Sequence, residues 1–166
     1  MREEHRVGIR YLEEVTTLTQ RVRATHPTTG MYEAGDFQWW WRTQRATDDL
    51  PQLFWLGDDG RPEAAVIATD WGDTIGLDPI VMPDATPEWI AHVVDRGLLH
   101  ANEAGFEAVN IVIDAADDVM ADVLARRGFT NMEDELVESW LSAADRPAIS
   151  PLSSGYRLAS RLDKCR

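Results

Sequence analysis

Few residues of this 166-residue chain have both the type and the setting to do chemistry, and Asp78 is the first of them. It is the acid within the apolar run of residues 74–82, and Pro79 follows it, which predicts a bulge or a sheet edge at this point. A carboxylate in such a strand can act as a general base, directly or through a water molecule. An acid at an exposed strand position needs no function, and the sequence favours that second interpretation of Asp78.

A second group of candidates is aromatic. Phe37 and three consecutive tryptophans, residues 39–41, form the densest aromatic cluster of the chain. Aromatic faces can hold an amine by cation–π contact, so Trp39 and Trp40, with Trp71 farther along, are candidate substrate-binding residues. Consecutive helix residues cannot all face one pocket, and the pattern therefore favours two tryptophans packed on a sheet and one at its rim. Trp71 has the alternative role of shaping the turn after its strand.

Several kinds of site and partner are disfavoured. His92 and His100 are eight residues apart, not at the spacing that chelation on a helix favours, and no carboxylates complete the set, so no metal is expected. No serine-hydrolase, phosphate-loop or dinucleotide-binding motif occurs. The formal charge of −13 argues against nucleic acid and anionic membrane surfaces. It is compatible with a cationic amine as substrate, although solubility alone explains it.

The compartment is predicted from the cysteine count and the first residues. Cys165 is the only cysteine, so no internal disulfide forms and a cytoplasmic location is the simpler expectation. The polar residues 1–5 predict no secretion signal, and the absence of a run of about 18 apolar residues predicts no membrane span.

Periodicity and turn residues in the first half predict a domain of mixed structure. Apolar residues at helical spacing predict helices over residues 10–25 and 36–45, with Asp36 as the N-cap of the second. Apolar runs separated by turn residues predict an antiparallel meander of three strands, over residues 53–56, 64–71 and 74–82.

The second half predicts a helix, a strand and another helix. Thr86 and Pro87 are an N-cap and a first-position proline, and Gly105 ends the helix that they open. Period-2 alternation predicts a strand over residues 108–113, apolar on both faces. Acidic residues 114–118 then supply a turn and an N-cap for a helix that Gly128 ends.

The tail predicts a boundary. Residues 135–141 are consistent with a further strand, with a helix over 133–141 as the alternative, and residues 156–162 with a short final strand. Pro147, Pro151 and small polar residues between them predict a linker. The predicted organisation is a domain over 1–144, a linker over 145–154, and a segment 155–166 that completes the sheet or begins a second domain.

The element order, the strand end Val81-Met82-Pro83 and the helix end Arg127-Gly128-Phe129 together resemble the GNAT superfamily of N-acetyltransferases over residues 11–141. The resemblance implies an α/β (α+β) fold with a mixed, mostly antiparallel central sheet and helices on both faces. It also implies acetyl transfer from acetyl-CoA to a small-molecule amine.

The resemblance assigns roles to residues as follows. Asp78 would flank the thioester as base, and the segment with Trp39 and Trp40 would line the acceptor groove. Backbone groups of strand residues would hold the pantetheine arm and amides of the next helix the pyrophosphate, which makes the candidate cofactor-binding residues Ile80, Val81, Met82, Thr86, Glu88 and Trp89.

The chain departs from the GNAT pattern in three places. Residues 83–90 lack the glycines and the basic residue of the usual phosphate loop, and Asp84 and Glu88 would repel phosphate. Leu124 stands where many members have the tyrosine that protonates the departing thiolate. The usual first strand is absent or confined to residues 7–10. The chain thus resembles the N-terminal half of a tandem GNAT protein, with residues 155–158 similar to the opening of a second domain.

Three functions remain open from sequence. The first is an acyl-CoA-dependent N-acyltransferase with a degenerate cofactor loop. The second is a catalytically inert GNAT-like domain with a structural or dimerising role, as a homodimer or as the partner of a second GNAT-like domain. The third is a module that binds another small molecule in the same cleft.

Overall fold

The structure, a computed structural model, describes residues 1–28, 30–132, 142–145, 148 and 150–157. The chain divides into two compact units, Met1–Thr130 and Asn131–Arg166. Within the second unit the described residues include a short 3-10 helix, Ala143–Asp145, and a turn that Tyr156 closes by donating its N–H to the Ser153 carbonyl. The predicted strand over 135–141 and all but the first two residues of the one over 156–162 lie outside the described residues, and the linker stays a prediction.

The first unit contains an antiparallel sheet of four described strands in the order β1-β2-β3-β4. Their bounds are Arg2–Arg6 (β1), Gln52–Leu56 (β2), Pro62–Asp70 (β3) and Ile75–Val81 (β4). The last three are the predicted meander.

Four described helices lie on the two sides of the sheet: Ile9–Thr25 (α1), Ala34–Trp41 (α2), Pro87–Glu103 (α3) and Asp118–Ala125 (α4). Alternate residues of β2 and β3 point to opposite faces, and Phe54 and Ile67 pack with Leu18 of α1. Leu53 and Val66, their neighbours, pack with α3 on the other face. α4 packs on α3 rather than on the sheet. The expected mixed fold with helices on both faces is confirmed.

The expectation that the first strand is absent or limited to residues 7–10 is wrong. β1 precedes that segment, and α1 begins at Ile9. The sequence of β1, Arg-Glu-Glu-His-Arg, has no apolar alternation, because charged groups rather than apolar side chains hold this edge strand in place. Arg96 of α3 donates two hydrogen bonds to Glu3, at 2.7 and 3.0 Å, and Arg6 pairs with Glu4 at 3.0 Å.

The N-terminus of α2 also differs from the expectation. Asp36 is not the N-cap but the third helical residue, and its carboxylate accepts the N–H of Glu33 at 2.8 Å. Glu33 caps the helix in return, which forms a reciprocal capping box. The helix ends at Trp41 rather than at residue 45. The predicted N-cap of α3, Thr86, is confirmed, and the N-cap expected among residues 114–118 for α4 is Asp117.

Gly97 lets α3 approach the sheet closely, and its replacement should destabilise the fold. A Cβ at this position would lie 2.8 Å from a methyl carbon of Val66, which is buried and β-branched. We expect Gly97→Val to lower the free energy of unfolding by about 1–3 kcal/mol, measured by urea denaturation. Leu99→Val places the same side chain at an exposed position of α3 and should change it by less than about 0.5 kcal/mol. Equal effects of the two variants would contradict the close approach.

Candidate active site

The predicted strand over 108–113 is not a strand in the structure, and Pro79 explains why. The segment forms one parallel bridge, Gly76 to Asn110, in which Leu77 donates to the Asn110 carbonyl and Asn110 donates to Ile75, each at 2.8 Å. The next step of that ladder would require an N–H at residue 79. Proline has none, so the pairing stops and the segment separates from β4. The N–H that Pro79 lacks would point away from β3, because the backbone groups of alternate strand residues point to opposite edges. The pairing of β4 with β3 therefore loses no hydrogen bond.

A cleft of about 370 Å³ lies where the two segments separate. This volume is in the range of small-molecule sites. The walls are mostly apolar and come from β4, from α3 and from the region around α4; they include Ile80, Val81, Met82, Ile90, Val112, Ile113, Val119 and Met120. The loop between α1 and α2 closes one side with Met31 and Tyr32, and Asp114 and Asp117 are the charged residues of the lining.

Asp78, which is buried, and Tyr32, which is half-buried, form a hydrogen-bonded pair at the side of this cleft. The Tyr32 hydroxyl donates a hydrogen bond of 2.6 Å to Oδ1 of Asp78. The other carboxyl oxygen of Asp78 is buried and has no hydrogen-bond partner among the described residues. Asp78 is 4 % exposed, so the expectation of an exposed strand acid is wrong. Its side chain points to the face of α1 and α2, where burial rather than charge pairing determines its chemistry.

The surroundings shift the pKa of both groups. Burial raises the pKa of Asp78 to about 6, and the hydrogen bond from Tyr32 opposes this rise because it favours the ionised form. Burial and the adjacent Asp78 charge hold the pKa of Tyr32 well above its usual value, so the phenol stays protonated. A carboxyl group that titrates near neutrality beside a ligand-sized cleft is a candidate general base.

An aromatic row continues from Tyr32 toward the turn between β3 and β4. Trp40 meets the Tyr32 ring edge-on at 5.5 Å and the Trp71 ring at 5.1 Å, and Arg45 lies over Trp71 at 4.2 Å. Two of the three predicted substrate-binding residues, Trp40 and Trp71, are therefore in contact with each other, and Trp40 also contacts Tyr32. Neither of them lines the cleft.

Trp39 is separated from that row. It is 61 % exposed, and Arg42 stacks on its ring at 3.4 Å. Trp41 packs against Tyr11 at 5.9 Å. The three consecutive tryptophans thus point in different directions, with one exposed, as the sequence favours.

The predicted cofactor-binding residues fall into two groups. Ile80, Val81 and Met82 line the cleft. The other three, Thr86, Glu88 and Trp89, form the start of α3 and do not line the cleft. The Trp89 ring packs on Trp55 and His92 instead. The structure therefore brings the first three residues to the site and leaves the Trp89 side chain outside it.

Tyr32 is the site residue that sequence reasoning missed. It follows the helix-breaking residues 26–30 and belongs to no periodic pattern. Its partner Asp78 is 46 residues away, so local spacing carries no signal of the contact. A tyrosine beside the aromatic cluster was the one available hint.

Two features are absent from the described residues. No group of three or more potential metal ligands occurs there. No helix in that part of the chain has the length and hydropathy needed to cross a bilayer.

Comparisons with known proteins place the fold. No protein-family model matches the chain, and no curated protein sequence matches it. A solved structure described as a probable acetyltransferase is 13 % identical, with a TM-score of 0.53, and the match covers 86 % of this chain and 99 % of that one.

Two further solved structures are similar. An aminoglycoside N-acetyltransferase, AAC(6')-Iy in complex with CoA, is 12 % identical over 84 % of this chain and 95 % of its own, with a TM-score of 0.51. A putative acetyltransferase from Agrobacterium tumefaciens is 10 % identical over 84 % and 100 %, with a TM-score of 0.50. Likeness at this level of identity identifies an architecture and not an activity. With its antiparallel meander, flanking helices and separated strand edge, the chain has the GNAT acetyltransferase fold.

Proposed function

We propose that the protein transfers an acyl group from a pantetheine thioester, with acetyl-CoA as the first donor to test, to a primary amine. The observation that carries this proposal is the apolar cleft beside β4 with the Tyr32–Asp78 pair at its side. The cleft supplies a place for an extended, amide-bearing arm, and the pair supplies a group that can take up a proton.

The edge of β4 that faces the cleft can bind such an arm. Val81 is in phase with Pro79 along the strand, whereas Met82 donates its N–H to Glu63 of β3. The N–H and C=O of Val81 therefore point toward the cleft side, where an amide of the donor can pair with them as a strand would. Apolar side chains around this edge exclude water from the thioester.

Proton transfer passes through Tyr32. Asp78 is buried and does not line the cleft, whereas Tyr32 does. As the amine nitrogen bonds to the thioester carbonyl carbon, its proton moves to the Tyr32 oxygen, and the Tyr32 proton moves to Asp78. The carbon–sulfur bond then breaks, and the sulfur takes a proton back along the same path. The products are an amide and a thiol, and the pair returns to its starting state.

The acceptor would meet the aromatic row. Trp40 lies beside Tyr32, and Trp71 lies beside Trp40, so an organic amine at Tyr32 would be close to an aromatic ring. Trp39 lies away from this position and contributes at most to the rim.

Thiol release tests the proposal. With acetyl-CoA as the donor, we expect thiol release with at least one acceptor from a panel of primary amines (tryptamine, phenethylamine and spermidine). For the pH dependence we add a weakly basic arylamine, which unlike these alkylamines is uncharged across the tested range. With this acceptor, kcat/KM should rise to a plateau through a single ionisation near pH 6, because Asp78 must be ionised to accept the proton. A flat profile would contradict the role of Asp78. No release with any amine would contradict acyl transfer.

An inert GNAT-like domain is the second candidate, as a structural, dimerising or ligand-binding module. The observation in its favour is Leu124, which packs in the apolar contact between α4 and α3 and offers no proton. This candidate predicts no thiol release from any amine, with or without ligand binding or self-association.

A further inference from the structure

We propose that the cleft binds its acyl donor through the acyl group and the pantetheine arm alone, and that its mouth does not bind the phosphates of a nucleotide. Thioesters of pantetheine that lack the nucleotide would then be as good as acetyl-CoA. The inference rests on the proposed function for the identity of the donor. Its evidence comes from the cleft lining and from the start of α3.

Among the described residues, the lining of the cleft contains no cation: its charged members are Asp114 and Asp117, and both are acids. Phosphate sites in proteins normally combine backbone amides with Arg or Lys. The guanidinium of Arg21 already has partners on β3: it pairs with Glu63 at 2.8 Å and donates to the Pro62 carbonyl. Arg127 pairs with Asp95.

The start of α3 offers few amides. Pro83 and Pro87 have no N–H, the N–H of Ala85 donates to the Met82 carbonyl at 3.0 Å, and that of Trp89 donates to the Thr86 hydroxyl at 3.2 Å. Four of the seven positions from 83 to 89 are therefore without a free donor. The usual phosphate loop depends on several converging amides and on glycine for close approach.

The remaining electrostatics oppose an anion. Asp84 and Glu88 are exposed on either side of the helix start, and Asp114 and Asp117 lie across the cleft. A helix N-terminus carries roughly half a positive charge, which two nearby carboxylates more than offset. The apolar arm of a thioester meets no such penalty inside the cleft.

Calorimetric titration with acetyl-CoA and with S-acetyl-pantetheine tests this inference. We expect dissociation constants within about threefold of each other at about 0.15 M salt. Raising the salt to about 0.5 M should tighten acetyl-CoA binding by screening repulsion and leave S-acetyl-pantetheine unchanged. Asp84→Lys should tighten acetyl-CoA by about fivefold or more and not affect the neutral donor. Glu103→Lys makes the same charge change roughly 25 Å away, at the far end of α3, and should affect neither.

The outcomes separate the two proposals. Binding of acetyl-CoA more than about 30-fold tighter than S-acetyl-pantetheine, weakened by salt, would overturn the inference and leave acyl transfer standing. Equal binding of both donors without thiol release would support the inference and overturn the proposed function. No binding of either donor would overturn both.

Discussion

Asp78→Asn is expected to stabilise the protein above pH 6 while it abolishes acyl transfer. The pKa of Asp78 is about 6 in the folded protein against an ordinary value of 3.8. The folded state therefore binds this proton more tightly, and the free energy of unfolding falls as pH rises between these values. Two pKa units correspond to about 3 kcal/mol. The natural protein loses this free energy of unfolding above pH 6, whereas the variant, whose asparagine does not ionise, keeps it. The amide oxygen of asparagine can still accept the Tyr32 hydrogen bond.

Urea denaturation at about pH 4 and at about pH 8 measures this effect. We expect the variant and the natural protein to be nearly equal at the lower pH and to differ by about 3 kcal/mol at the higher one. Asp73→Asn removes an exposed acid from the turn between β3 and β4 and should show no such difference. A variant that is less stable than the natural protein at pH 8 would show that the ionised carboxylate is stabilised in the fold.

Tyr32→Phe is expected to lower kcat/KM by about 100-fold or more, because it removes the hydroxyl that links the cleft to Asp78. It should also destabilise the protein at pH 8 by about 1.5–3 kcal/mol, since the buried carboxylate loses its hydrogen bond. That bond lowers the pKa of Asp78, so the ionisation seen in the pH dependence of stability should move above pH 6.

Two comparisons give this prediction a control. Tyr11→Phe removes a hydroxyl from a tyrosine that packs against the same core and forms no hydrogen bond within the described structure, and it should change kcat/KM by less than about threefold. In an Asp78→Asn background, Tyr32→Phe should cost less stability than in the natural protein, because no charge remains. Equal costs in the two backgrounds would mean that Tyr32 and Asp78 act independently.

The parts of the fold with apolar periodicity or capping residues were predictable from sequence. The meander, α1 and α3 are such parts, because their apolar residues recur at the positions that are buried in the fold. β1 was not predictable, because its charges find partners such as Arg96 only after the chain has folded. The segment 108–113 had the alternation of a strand, but its neighbour lacks one donor at Pro79.

The candidate site was predictable in its parts rather than in its geometry. Asp78 stands out in sequence as an acid in an apolar strand, yet its burial depends on α1 and α2 packing over it. Tyr32 became relevant only through a contact across 46 residues. Side-chain type identifies candidates, whereas long-range packing decides which of them meet.

Pro79 has a consequence for the free energy of ligand binding. If a strand partner covered the cleft-facing edge of β4, a ligand would have to break that pairing before it could bind to the edge. The free energy of ligand binding would then be weakened by the free energy of the broken pairing. Because Pro79 has no N–H, one hydrogen bond of that pairing is missing in every state of the folded chain. The binding edge is thus preorganised by the covalent structure of one residue, and its opening is part of folding rather than of recognition.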